Sequence, residues 1–192
     1  MKNSPENAMR IVRPTLDHLD GFVAALESGW SPLSTDPKGG ETILAQLAAD
    51  PQRYLDGLFD RHGSRDPWRL ADGTLQPPIP QCRYWMWDGE FCGVAVFRWQ
   101  HGTVALPDTY LGHIGYNVVP WKRGKGYATA AVAQILPVAR AEGLPWVDLT
   151  TDPANAASQA VILANGGVLV EEFTKPAAYG GGKALRFRIA LG

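Results

Sequence analysis

Between Leu111 and Thr129 the chain reads Leu-Gly-His-Ile-Gly-Tyr-Asn-Val-Val-Pro-Trp-Lys-Arg-Gly-Lys-Gly-Tyr-Ala-Thr, an apolar run that passes through a glycine-rich turn into an alanine-rich stretch. Such a turn suits a pyrophosphate. Gly124 and Gly126 carry no Cβ, so the backbone can come close to a ligand, and the free N–H groups that open a helix point at whatever anion sits there. Arg123 and Lys125 add formal positive charge, and a guanidinium can hold phosphate oxygens through paired hydrogen bonds. The turn lacks the Gly-Lys-Ser/Thr ending of a P-loop and the three-glycine spacing of a dinucleotide fingerprint, so neither ATP nor NAD is favoured. The plainer alternative is a loop between strand and helix with solvated basic residues.

His113, just upstream, is the residue on this strand suited to proton transfer: an unperturbed imidazole titrates near ~6.5, which matches proton acceptance at neutral pH. Alternation places His113, Gly115 and Asn117 on one face of the strand and Ile114, Tyr116 and Val118 on the other. A packed strand histidine is the competing reading. His18, His62 and His101 are scattered without metal-ligand spacing, no Ser-His-Asp arrangement is readable, and no metal is expected. Further on, Asn155-Ala-Ala-Ser158 opens a short helix for which Asn155 is a natural cap.

The elements that must position these residues follow from periodicity. Met9 to Arg13 reads as a strand, and Thr15 can cap a helix with Leu16, Leu19, Val23 and Leu26 at helical spacing. From about 29 to 80 the text is irregular, with Asp36-Pro37, Asp66-Pro67 and Pro77-Pro78 interrupting it around one middle helix near Thr42 to Leu58. Arg83–Trp87 and Phe91–Arg98 form a predicted hairpin about Asp88-Gly89. Tyr110 to Val119 is a third long strand, followed by the turn and a helix to Glu142 that Gly143 stops. Trp146–Thr151 is a strand, Asn155 to Ala164 a helix, and Val168–Phe173 and Leu185–Leu191 are closing strands.

In the turn, Arg123, Gly126 and Ala128 match in register the acetyl-CoA signature of the GNAT superfamily of N-acetyltransferases: Arg or Gln, two residues, Gly, one residue, then Gly or Ala. Asp152-Pro-Ala-Asn155-Ala-Ala-Ser158 and Ala164-Asn-Gly-Gly167 are similar to its next motif. From about Pro78 to Glu171 the chain resembles a bacterial subgroup of predicted acetyltransferases. The resemblance implies an α/β fold with a mixed, mainly antiparallel sheet of six or seven strands and helices on both faces. It implies that the central strand splays from its neighbour near Val118 and Val119, and that its backbone pairs with the pantetheine arm of CoA. The amides of Arg123, Gly124, Lys125, Gly126, Tyr127, Ala128 and Thr129 would hold the pyrophosphate, and Asn155 and Ser158 would meet the pantetheine or adenosine end. His113 stands where related enzymes often carry a catalytic Glu, which makes it the candidate base, and an N–H near Val118 or Val119 is the candidate oxyanion donor. Many relatives carry a Tyr seven residues after the Asn to protonate the leaving thiolate; Ile162 occupies that place. The expected activity is acetyl transfer from acetyl-CoA to an amine by direct attack. A non-catalytic acyl-CoA-binding or sensing module is the alternative, and an interaction domain using the Pro-rich segment is a second.

The bulk composition bounds these readings. The 192 residues suffice for one domain, 1–192, with the irregular insertion inside it. Eighteen Lys and Arg against nineteen Asp and Glu leave no basic excess for a nucleic-acid backbone. Cys82 and Cys92 do not form a disulfide framework, and no apolar segment reads as a signal peptide or membrane span. A cytoplasmic enzyme acting on a small-molecule or peptide amine is expected, with a homodimer left open.

Overall fold

A computed structural model of the chain describes residues 8–33, 38–70 and 72–192. The Asp36-Pro37 break and the leading segment through Asn7 lie outside the described residues. The elements in order are β1 (Arg10–Val12), α1 (Leu19–Glu27), α2 (Gly39–Ala49), α3 (Pro51–Asp56), β2 (Phe59–Asp60), β3 (Trp68–Arg69), β4 (Leu75–Gln76), β5 (Gln81–Trp87), β6 (Phe91–Arg98), β7 (Ile114–Val118), α4 (Tyr127–Ala141), β8 (Trp146–Thr151), α5 (Ala156–Ala164), β9 (Val168–Thr174) and β10 (Lys183–Ala190).

The strands form a sheet ordered β1-β5-β6-β7, with β2 also on β5, and a second sheet ordered β8-β10-β9; β3 and β4 make a separate small hairpin. Every pairing among the described residues is antiparallel. One core fills the side covered by α4 and α5, where Met86, Phe97, Ile114, Val132, Ile135, Leu149, Ile162 and Phe187 meet, so both sheets share it. The opposite side of the first sheet packs on α1, α2 and α3 through Phe22, Leu26, Ile43, Leu55, Trp85, Phe91, Val94 and Val119. Helices thus cover both faces of the sheet, each fully buried large side chain contributing ~1.5–3 kcal/mol.

Three local expectations need correction. The middle helix is two, α2 and α3, because Asp50 leaves helical geometry at φ −161° and ψ 94°, accepts the Arg53 N–H, and places Pro51 at the first helical position. The β5–β6 turn holds three residues, not two: Trp87 pairs with Phe91 after a register shift at Met86/Trp87, and Asp88, Gly89 and Glu90 make the loop. The third long strand shrinks to Ile114–Val118, because Gly112 packs against Asp148 and Leu149 and the His113 N–H leaves β6 for the Asp148 carbonyl of β8, its own carbonyl still accepting from Arg98.

Candidate active site

The two sheets part between β7 and β8, and the hydrogen-bond phase of β7 dictates what faces the gap. Arg98 N–H donates to the His113 carbonyl at 2.9 Å and Val119 N–H to the Cys92 carbonyl at 3.0 Å. Alternate residues of an antiparallel strand bond to one neighbour, so Gly115, Asn117 and Val119 turn their peptide groups to β6, and His113 its carbonyl. Those of Tyr116 and Val118 point the other way, into the fork. On the far jaw the same alternation turns Thr150 toward β7, since its neighbours in β8 bond to β10.

His113 closes the apex of this fork. Its N–H donates to the Asp148 carbonyl at 2.7 Å, and the Asp148 N–H donates back to His113 Nδ1 at 2.9 Å. With Nδ1 accepting, Nε2 carries the proton and donates to the Val104 carbonyl at 2.9 Å. The ring is 2% exposed, and burial lowers its pKa, the bonds to Val104 and Asp148 acting in the opposite sense. In this arrangement neither nitrogen of the expected base keeps a free lone pair, and the imidazole stands where the next peptide of a continuous sheet would be. Asp148 is fixed from behind by Arg188, with Nε and Nη2 at 2.8 and 2.9 Å.

Below the fork lies the glycine turn. Gly124 and Gly126 adopt φ +75° and +76°, the left-handed region that glycine enters without strain, and a Cβ on either would meet nothing within 4 Å. Their requirement is conformational, and the turn is open in front. Helix α4 begins at Tyr127, so the amides of Tyr127, Ala128 and Thr129 have no helical acceptor, while Ala130 N–H already bonds Gly126 O. Arg123, Lys125 and both glycines are exposed beside them. The Arg123 Nε folds back onto the Val118 carbonyl at 3.1 Å, tying the turn to the jaw. These groups fit a diphosphate lying on a helix N-terminus with an extended arm running up the fork.

The turn is held in place from the β5–β6 hairpin. Lys122 Nζ lies 3.0 Å from each Asp88 oxygen and 2.8 Å from Glu90 Oε2, and the Tyr127 hydroxyl donates to Asp88 Oδ2. Burial would raise the Asp88 pKa, but the bonds from Tyr127 and Lys122 outweigh it and hold the carboxyl at about 2. The same bond, with burial, pushes Tyr127 up to about 12. The Tyr127 side chain is therefore committed to Asp88, and its amide is what remains for an anion.

The structure separates the remaining predicted residues. Val118 faces the fork with its peptide group, whereas the Val119 N–H is spent on Cys92. Asn155 caps α5, its Oδ1 accepting from Ser158 N–H at 3.0 Å. Ser158 reaches the jaw: its Oγ lies 2.9 Å from the Tyr116 hydroxyl. Sequence reasoning missed Tyr116; the signal was its place on the Ile114-Tyr116-Val118 face, which turns toward α4 and α5. Ile162, where relatives carry a Tyr, is completely buried.

A model of the acetyltransferase (GNAT) domain matches residues 37–168. No match is found among curated protein sequences. Among solved structures the chain is similar to the microcin C7 self-immunity acetyltransferase MccE in complex with acetyl-CoA and AMP, at 14% identity over 97% of each chain with a TM-score of 0.59. It is similar to RimL, a ribosomal-protein α-N-acetyltransferase in complex with coenzyme A, at 14% identity over 95% of this chain and 93% of that one, TM-score 0.59. The Mycobacterium smegmatis RimJ in complex with CoA-disulfide gives 17% identity over 97% and 83%, TM-score 0.58. At these identities the three likenesses speak for the fold, and the family match, which spans more than half the chain, carries the assignment. The chain belongs to the GNAT acetyltransferase family and is an acetyl-CoA-dependent N-acetyltransferase.

Proposed function

We propose that this acetyltransferase acetylates an amine of a small molecule or peptide by direct attack from the α1–α3 side of the fork. The observation that carries the reading is the fork itself, with the peptide groups of Tyr116 and the N–H of Val118 turned into it and leading to an open helix N-terminus. Bound acetyl-CoA supplies a thioester-activated acetyl group and a thiolate that leaves. The amides of Tyr127, Ala128 and Thr129, with Arg123 and Lys125, hold the diphosphate, while Gly124 and Gly126 let the turn adopt its shape. Val118 N–H, not Val119 N–H, is the donor to the acyl oxygen, because it alone of the two faces the gap. Asn155 and Ser158 line the α5 side of the arm.

The amine must be neutral to attack, and His113, locked at both nitrogens, keeps the apex in shape rather than taking the proton. The proton leaves through solvent on the acceptor side. The Tyr116 hydroxyl, bonded to Ser158 beside the fork, is the group placed to return a proton to the departing thiolate; burial raises its pKa and keeps it protonated, the bond from Ser158 acting in the opposite sense. A cytoplasmic location belongs to this reading, supported by the unpaired, buried thiols of Cys82 and Cys92. No helix among the described residues is long and apolar enough to cross a membrane.

Calorimetry with acetyl-CoA, followed by a thiol-release assay with a panel of amines, tests the proposal. Binding with amine-dependent release of thiol is expected. Binding without release for any amine would leave the binding-only module, and no binding at millimolar ligand would overturn the reading of the turn.

A further inference from the structure

On the face of the first sheet turned to α1–α3, three arginines converge at the end nearest the fork apex. Arg83 on β5 sits across from Val96, Arg98 ends β6 across from Gln81, and Arg65 follows β2 in the chain. Arg98 Nη1 donates to the Gly112 carbonyl at 3.3 Å, and Nη2 lies 3.5 Å from where a Cβ on Gly115 would stand. The Arg98 guanidinium sits 5.8 Å from the Tyr110 ring centroid. Its Nε is buried and finds no acceptor among the described residues, and the Thr109 hydroxyl is buried in the same state. No described carboxylate forms an ion pair with Arg98 or Arg83.

The one acid in the group, Asp60, is already engaged. Its two oxygens accept from the amides of His62, Ser64 and Arg65, from Ser64 Oγ and from Arg65 Nε, all at 3.1–3.2 Å. Burial, then the like charges of Arg83 and Arg65, hold Arg98 down at about 10. The chain thus keeps desolvated positive charge, with an unmet donor, beside the strand that forms one jaw of the fork. Desolvating such charge without a partner is costly, and a bidentate anion would repay it.

We infer that Arg98, with Arg83 and Arg65, binds an anionic group, a carboxylate or a phosphate, carried by the acceptor amine. Tyr110 and Tyr179 flank this subsite, the Tyr179 hydroxyl fixed by the Thr109 carbonyl at 2.7 Å and by Gln76 Nε2 at 3.0 Å. Gly115, beside Arg98, is three residues from Val118, about 10 Å along an extended strand. A small molecule bearing amine and anion at its two ends spans that distance. The inference rests on the fork being the acetyl-transfer site.

The test is steady-state thiol release with acetyl-CoA and matched pairs of amines: β-alanine against β-alaninamide, γ-aminobutyrate against its amide, and O-phosphoethanolamine against ethanolamine. The parent should prefer the anionic member of at least one pair by tenfold or more in kcat/KM, and which pair responds identifies the anion. Arg98→Gln and Arg83→Gln should each lower that preference, the loss falling on the acceptor KM, and Arg98→Lys should restore part of it. Should Arg98→Gln fail to fold, Arg83→Gln carries the test. Uncharged amines used as well as anionic ones would overturn the inference and leave acetyl transfer standing. No turnover of any amine, with no acetyl-CoA binding, would instead overturn the function it rests on.

Discussion

Replacing Asp88 by Asn would loosen the glycine turn without touching it, and the size of the effect follows from the carboxyl's environment. The side chain is 9% exposed, so its interactions are weakly screened. The change keeps an oxygen for the Tyr127 hydroxyl but removes the charge that Lys122 faces at 3.0 Å. A carboxyl at about 2 in the folded protein against an ordinary 3.8 is worth about 2 kcal/mol at ~1.36 kcal/mol per unit. Because the folded value is depressed, this stability is present above 3.8 and is lost as pH falls toward about 2. Parent and Asp88→Asn should therefore differ by about 2 kcal/mol at neutral pH in urea titrations, by about half of that near pH 3, and by little below pH 2. The variant should also bind acetyl-CoA more weakly, because the amides of Tyr127, Ala128 and Thr129 are no longer held in register with the fork. A difference below ~0.5 kcal/mol at neutral pH, or one that does not change with pH, would refute the reasoning.

Three further outcomes are expected. His113→Gln should cost ~2–4 kcal/mol through two disrupted buried hydrogen bonds while the acidic limb of the kcat profile persists; a folded, stable variant that loses both its rate and that limb would return the base to His113. In the parent, the His113 pKa lies below the ordinary 6.5, so the unfolded chain takes up a proton first as pH falls. Stability should decline below that value, and the Gln variant should lack this part of the decline. Tyr116→Phe should lower kcat by about tenfold or more with little change in acetyl-CoA affinity, and an unaltered kcat would assign thiolate protonation to water. Gly93→Ala should destabilise by more than ~2 kcal/mol, since Gly93 adopts φ +147° and a Cβ there would lie 2.3 Å from the Asn117 carbonyl oxygen; equal denaturation midpoints would remove the argument that β6 and β7 are crowded at the fork.

What the sequence showed and what it hid divide along physical lines. β8 is found at Trp146–Thr151 as periodicity places it, and α5 follows its Asn155 cap, because a local cap and a strict alternation are written in adjacent residues. The glycine turn was legible for the same reason. The split of α2 from α3 lay in Asp50-Pro51 and was readable in principle, as an Asp cap followed by a first-turn Pro. The role of His113 was not readable, because its partners Asp148 and Val104 are 35 and 9 residues away and both contribute only backbone atoms. No residue type at those positions signals a peptide group. The arginine cluster was hidden similarly: Arg65, Arg83 and Arg98 come from three segments, one of them in the irregular insertion, and only the sheet register brings them together.

The fork also explains why an open jaw can persist in a folded chain. A strand between two neighbours spends every peptide group, and a buried group left without a partner costs ~1–3 kcal/mol. If β8 continued alongside β7, the groups of Tyr116, Val118 and Thr150 would be satisfied and no ligand could enter. Instead the His113 backbone N–H and ring Nδ1 take the carbonyl and the N–H of Asp148, ending the contact at one residue, and Gly93 lets β6 press against β7 at the jaw. Beyond the apex the unpaired groups face an opening that an extended chain of amides can fill as a missing strand would. Arg123 already occupies the Val118 carbonyl, so the Val118 N–H is the donor left free at the mouth of the jaw. Affinity for an extended amide and a donor for a carbonyl oxygen thus arise from one interruption of the sheet, and neither needs a dedicated side chain.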